Sequence, residues 1–115
     1  MLIKAVSDTL RGKSPSLAHR RSGKWPTVRK NFLLLNPRCA VCDGSRNLEV
    51  HHKKPFHVEP ALELIFSNLI TLCESKKSGI NCHLFVGHLG NFKNINPNVV
   101  EDAAFWKAKL QQKNY

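Results

Sequence analysis

The chain lacks several things that would have pointed elsewhere. It has no run of eighteen apolar residues, so no segment reads as a transmembrane helix, which needs about 20. Its opening, MLIKAVSDTLRGK, carries only a short apolar stretch broken by Lys4 and Asp8, and does not read as a secretory signal. The expectation is a chain that acts in the cytoplasm, with no membrane partner. There is no internal repeat and no low-complexity tract. No acidic residue occurs between Asp8 and Asp43.

What is present fits one small domain. The 115 residues bury about two-thirds of the surface that the unfolded chain exposes, so the core is modest and a staple would help. Hydrophobic residues make up 42% and charged residues 23%, an ordinary globular balance. Eighteen Lys and Arg against eight Asp and Glu give a formal charge of +10. The acid-free interval holds Arg11, Lys13, Arg20, Arg21, Lys24, Arg29, Lys30 and Arg38. Such a block suits a polyanion, because neutralising phosphates releases counterions. Nucleic acid is the leading partner, with a ribosomal or membrane-surface role as the alternative.

Punctuation along the chain predicts its organisation. Residues 1–24 read as a basic N-terminal arm, interrupted by Gly12, Pro15 and Gly23. Residues 25–115 read as one domain. Trp25, Val28, Phe32 and Leu35 recur at helical spacing, Pro26 suits a first turn, and Asn36-Pro37 stops the helix. Two short strands are predicted, Leu48–His52 and Leu69–Cys73. A helix is expected from Asn81 or Cys82 toward Leu89, and a last one over Pro97–Lys113 with Val99, Ala103, Trp106 and Leu110 on its apolar face. Trp25, Phe32, Phe105 and Trp106 read as packing residues rather than platforms for bases. The fold class is α+β, and two strands alone make a marginal sheet.

A bound metal would explain how so small a sheet holds. Cys39-x2-Cys42 is half of a tetrahedral zinc site, and Cys73 and Cys82 would complete it from the second strand and the helix start. Without a secretory signal a reducing compartment is expected, which disfavours disulfides. The plain alternative is buried free thiols. Beside this clamp stand His51, His52, His83 and His88. Neighbours on a strand point to opposite faces, so His51 and His52 serve different surroundings. On an α-helix five residues turn through about 500°, so His83 and His88 would diverge by about 140° and share a metal only on a distorted or terminating turn.

The order L-E-V-H-H, N-L-I-T-L-C and C-H, framed by C-x-x-C, resembles the HNH endonucleases with their ββα-metal (His-Me finger) core. The resemblance covers roughly residues 36–92, and W-P-x-V-R-K ahead of N-P-R-C is similar to small phage and prophage members. It implies a metal-dependent DNA endonuclease, a nickase included, leaving 5′-phosphate and 3′-hydroxyl ends on double-stranded DNA. In those terms His51 and His83 ligate a single catalytic divalent metal, with His88 as a further candidate ligand. His52 is the general base, and Asn68 orients it and braces the loop. His51 stands where Asp is commoner. A neutral imidazole favours Mn²⁺, Ni²⁺, Co²⁺ or Zn²⁺ beside Mg²⁺. Structural Zn²⁺ would sit on the four cysteines.

Arg20, Arg21, Lys24, Arg29, Lys30, Lys53, Lys54 and His57 are the candidate DNA contacts, and a solvated surface is the alternative for each. Glu49 and Glu63 read as surface carboxylates that could also support the ligands from behind. A phage origin would place the protein in a bacterial host cell. Competing readings are a zinc-stapled DNA-binding module without activity, and an adaptor among phage packaging proteins.

Overall fold

A computed structural model describes residues 21–74 and 81–112 of the chain. Arg20, the rest of the arm before it, and residues 75–80 and 113–115 lie outside the described residues. The element order is helix α1 (Trp25–Leu35), strand β1 (Leu48–His52), two 3₁₀ turns (Pro60–Leu62 and Phe66–Asn68), strand β2 (Leu69–Cys73), a π-helical turn (His83–Gly87) and helix α2 (Val99–Gln112). Both strands and α1 fall where the sequence places them.

Helix α1 starts at Trp25 with proline in its first turn, where the missing N–H costs nothing. Ser22 Oγ accepts the Lys24 N–H at 3.0 Å just ahead of it. It ends at Asn36, whose backbone and side-chain N–H groups both donate to the Phe32 carbonyl. Pro37 follows and cannot continue the ladder. The predicted stripe is buried at Phe32 and half-buried at Trp25 and Val28, whereas Leu35 lies 71% exposed at the helix end.

The two strands form an antiparallel pair in which Val50 faces Thr71, His51 faces Ile70 and His52 faces Leu69. Alternation sends Val50 and Leu69 toward Phe32 of α1, while Leu72 joins the cluster with Cys39, Val41, Cys82, Val86, Val99 and Ala103. The sheet therefore separates two small cores. Arg29 ties α1 to β1 by donating to the Leu48 carbonyl and to Glu49, both at 3.3 Å.

Helix α2 runs from Val99 to Gln112 with Glu101 and Asp102 in its first turn and Lys109 in its last, the favourable sense for the helix dipole. Buried Asn96 fastens it, donating to the Val86 carbonyl at 2.8 Å and to Asp102 at 2.9 Å. Only Val99 and Ala103 of the predicted face are buried. Trp106 and Leu110 remain 50% and 40% exposed, and Phe105 lies edge-on against Trp106 out in solvent. Phe105 and Trp106, read as packing residues, pack on one another and stay half exposed rather than entering the core. The sheet and clamp supply too little surface to cover the second half of a helix this long.

Among the described residues, no helix is long and apolar enough to cross a membrane.

Candidate metal centres and cleft

The four cysteines converge. Their sulfurs lie within 4.8 Å of one another, and Cys42 and Cys73 Sγ are 3.6 Å apart. A tetrahedral ion with a Zn–S length of about 2.3 Å needs sulfurs about 3.8 Å apart. The knuckle is shaped for this. Cys39 N–H donates to the Gly44 carbonyl at 2.8 Å, Asp43 N–H donates back to the Cys39 carbonyl at 3.0 Å, and Val41 N–H reaches Cys39 Sγ at 3.4 Å. Asp43 takes the left-handed conformation that closes the turn. Ala40 N–H donates to the Thr71 carbonyl, which lays the knuckle against β2.

The thiols divide in charge. The hydrogen bond from Cys82 pulls Cys39 down to about 4, against its burial. Burial pushes Cys42 up to about 11, and Cys82 is raised by the same bond to Cys39 and by its own burial. A divalent cation would hold its ligands as thiolates. The four sulfurs could hold a metal ion such as zinc.

The second cluster is His51, His83 and His88, with ligand nitrogens within 4.8 Å of one another. Sequence expects an α-helix running to Leu89 here. The chain instead makes one π-helical turn, His83–Gly87, ending at His88. Its i→i+5 spacing is what an α-helix cannot offer. It brings the Nε2 atoms of His83 and His88 to 3.2 Å. Asn81 Oδ1 accepts the Leu84 N–H at the start of the turn. Leu89 and Gly90, both at positive φ, turn the chain out of it, and Gly90 N–H donates to the Leu84 carbonyl. Gly87 lets the turn lie directly on β1, because a Cβ there would meet the His51 ring at 3.2 Å and Leu72 at 3.1 Å.

The outer nitrogens of this pair are already engaged. Nδ1 of His83 donates to Glu74 at 2.6 Å, and Nδ1 of His88 donates to the Asn94 carbonyl at 2.9 Å. With both rings neutral, each presents a lone pair at Nε2 and the two lone pairs face each other, an arrangement that a proton or a metal cation between them would relieve. Metal ligation at about 2.0–2.1 Å would place two nitrogens about 3.3 Å apart. His51 completes the triangle. Burial first, then the neighbouring imidazoles, push it down to about 3, so it stays neutral and able to ligate near pH 7.

His52 looks the other way, as the strand pleat requires. Its ring lies 4.5 Å from that of Trp25. Its Nε2 is 2.9 Å from the Glu63 carbonyl, which can only accept, so Nε2 carries the proton and Nδ1 the lone pair. Burial lowers its basicity, opposed in part by that hydrogen bond. Asn68 is buried and its side chain does not bond His52. Its Oδ1 accepts the Lys54 N–H, and its Nδ2 reaches the carbonyls of Lys54 and Leu62. It braces the loop that carries Glu63, and reaches His52 only through that loop.

His51, His52, His83 and His88 border one cleft of about 410 Å³, whose wall also includes Arg21, Arg29, His57 and Lys93. Of the candidate phosphate contacts, Arg29 is engaged by Leu48 and Glu49, and Lys53 Nζ is engaged by the Ser67 carbonyl. Lys24, Lys30 and Lys54 are exposed and do not line this cleft.

Sequence reasoning missed four contributors. Glu63 reads as a surface carboxylate but is buried, 4% exposed, while Glu49 keeps the surface role. Glu74 was legible in hindsight as the acid directly after the last strand cysteine. Asn94 acts through its carbonyl, which any residue supplies, so no side-chain signal marks it. Phe92 packs its ring 5.1 Å from His88 and 5.5 Å from His83, and only the folded turn brings it there. Comparison with family models, with curated proteins and with solved structures found no match to this chain.

Proposed function

We propose that this protein is a metal-dependent DNA endonuclease of the HNH kind, in which β1, β2 and the π-helical turn play the part of a ββα-metal core. One observation carries the reading. The Nε2 atoms of His83 and His88 face each other at 3.2 Å, each ring held from behind by an acceptor, His51 completes the triangle, and in the same cleft a fourth imidazole, His52, has its proton held on Nε2 by the Glu63 carbonyl. That is a three-nitrogen ligand set with a separate base beside it. The formal charge of +10 supports a polyanionic substrate.

The residues divide the work. His51, His83 and His88 would hold a divalent cation, and Glu74 and the Asn94 carbonyl fix the ring orientations. Such a cation stabilises the charge that develops on a phosphoryl group and its departing oxygen. His52 takes the proton of the attacking water at Nδ1, because Nε2–H is committed to Glu63. Its lowered basicity keeps it neutral, and therefore competent, at pH 7. Arg21 and Lys93, on the cleft wall, are placed to meet phosphate oxygens. The products are 5′-phosphate and 3′-hydroxyl ends.

The test is relaxation of supercoiled plasmid by wild type and His52→Ala, with EDTA, Mg²⁺, Mn²⁺, Co²⁺, Ni²⁺ or Zn²⁺. Wild type should cleave only with added metal. His52→Ala should lose about 10²–10⁴-fold in rate while DNA affinity stays within a factor of a few. A salt-sensitive gel shift with no cleavage under any metal would replace this reading with a zinc-stapled DNA-binding module.

A further inference from the structure

A buried carboxylate is costly unless its oxygens are bonded. Glu63 meets that condition in an unusual way. Both of its side-chain oxygens accept the Ser22 backbone N–H, at 3.1 and 3.3 Å, and Arg21 lies 3.8 Å from Oε2. Ser22 sits 41 residues away along the chain, with Arg21 directly before it, in the segment that leads into α1. The same Glu63 presents its backbone carbonyl to His52.

Arg21 touches the surroundings of His52 a second way. Its guanidinium lies over the Phe56 ring at 5.1 Å and 6.0 Å from the centre of the Trp25 ring, and Trp25 covers one side of His52. The Arg21–Ser22 segment therefore grips both groups that orient the imidazole, the carbonyl at its edge and the indole beside its plane. Asn68 already braces the loop at Lys54 and at Leu62, the residue before Glu63. A loop needing only anchorage has it there. The added carboxylate clamp falls at the one residue whose carbonyl meets the ring.

We propose that Glu63 is a positioning residue for His52: clamped by Ser22 and Arg21, it holds its carbonyl where it keeps the imidazole proton on Nε2 and leaves Nδ1 free toward the cleft. The inference rests on the reading of His52 as the base, and it makes the segment before α1 part of the site. Released from the clamp, the loop carries the carbonyl away and the ring redistributes between its two tautomers.

Long-range ¹H–¹⁵N spectra of the full chain loaded with zinc, taken at about pH 8 where an ordinary imidazole is neutral, read the tautomer directly. Wild type should show His52 as the Nε2–H form alone. Glu63→Ala should show a mixture, and Arg21→Gln, a change at a half-exposed side chain, a smaller shift in the same direction. Glu63→Gln retains an acceptor oxygen for Ser22 and should recover most of the wild-type pattern. In plasmid cleavage by Glu63→Ala, kcat should fall at least in proportion to the lost Nε2–H fraction, with KM unchanged. A pure Nε2–H signal in both Glu63→Ala and Arg21→Gln overturns the proposal. If Glu63→Ala does not fold, Arg21→Gln decides alone. If wild type cleaves no DNA, the reading of His52 as a base fails, while the spectra still decide whether the clamp sets its tautomer.

Discussion

The four cysteines and the three histidines occupy the same small molecule but are surrounded differently. Three of the four thiols are buried inside the larger apolar cluster, where they touch Leu72, Val86 and Val99. Each imidazole of the second cluster borders the open cleft, and two of them lean on polar partners, Glu74 and the Asn94 carbonyl. Four donors in an apolar setting leave no place for a further ligand. Three donors at a cleft wall leave one open. Closed four-ligand sites stabilise folds, whereas sites with an open position support chemistry. The chain joins the two through the π-helical turn, which begins beside Cys82 and ends at His88. Anything that loosens the cysteine clamp should therefore disturb the histidines, whereas the reverse need not hold.

The largest effect tests that asymmetry. Cys42→Ser should abolish zinc binding at the clamp and unfold the domain, because structural zinc contributes about 10–16 kcal/mol of apparent binding free energy to folding in small zinc domains. A strong chelator should do the same to wild type. His83→Ala should leave the far-ultraviolet circular dichroism and one tightly held zinc per chain. If both variants unfold, or if Cys42→Ser keeps its zinc and its melting temperature, the division into a structural and a functional cluster collapses.

A smaller change sharpens the comparison inside the histidine cluster. Glu74→Gln removes the charge that the His83 Nδ1–H meets at 2.6 Å. Loss of such an outer partner weakens metal binding by about 10–100-fold. Competition titration should find that loss at the weaker of two sites, with the tighter, sulfur-bound zinc untouched. Equal affinity in Glu74→Gln would mean that Glu74 merely fills space beside His83.

What could be seen in the sequence follows the same division. The cysteine clamp was legible because C-x-x-C is a local signal, and both strands because β-branched and aliphatic residues are bounded by turn residues. His51 and His52 were assigned to opposite faces from the pleat alone, and the structure agrees. The meeting of His83 and His88 was legible only as a condition: His88 could join His83 on a distorted turn, and the π-helical turn that meets the condition is announced by no spacing. Gly87 was the overlooked clue, since its missing side chain is what admits the turn to the face of β1. Glu63 was misjudged because burial of its carboxylate depends on a partner 41 residues away. The second half of α2 was misjudged for the converse reason: Trp106 and Leu110 have the period of a buried stripe, yet among the described residues they are covered only in part.

Acid should separate the two clusters by a gentler route. His51 is pushed down to about 3 by burial and by its imidazole neighbours, so the folded chain keeps it neutral where an unfolded histidine gains a proton. Stability from this group is then complete above about pH 6.5, and it declines as pH falls from there toward about 3, by up to about 1.4 kcal/mol for each unit. Bound metal acts in the same sense, since ligation also requires the neutral ring. Acid competes for the thiolates too, so the test needs a reference that shares the clamp. His51→Asn provides it. Urea midpoints of wild type and His51→Asn, measured without added metal at several pH values below 7, should diverge in slope, with the variant the less sensitive. Parallel slopes would mean that His51 gains its proton in the fold as readily as out of it, and the buried neutral imidazole on which the three-nitrogen set depends would have to be given up.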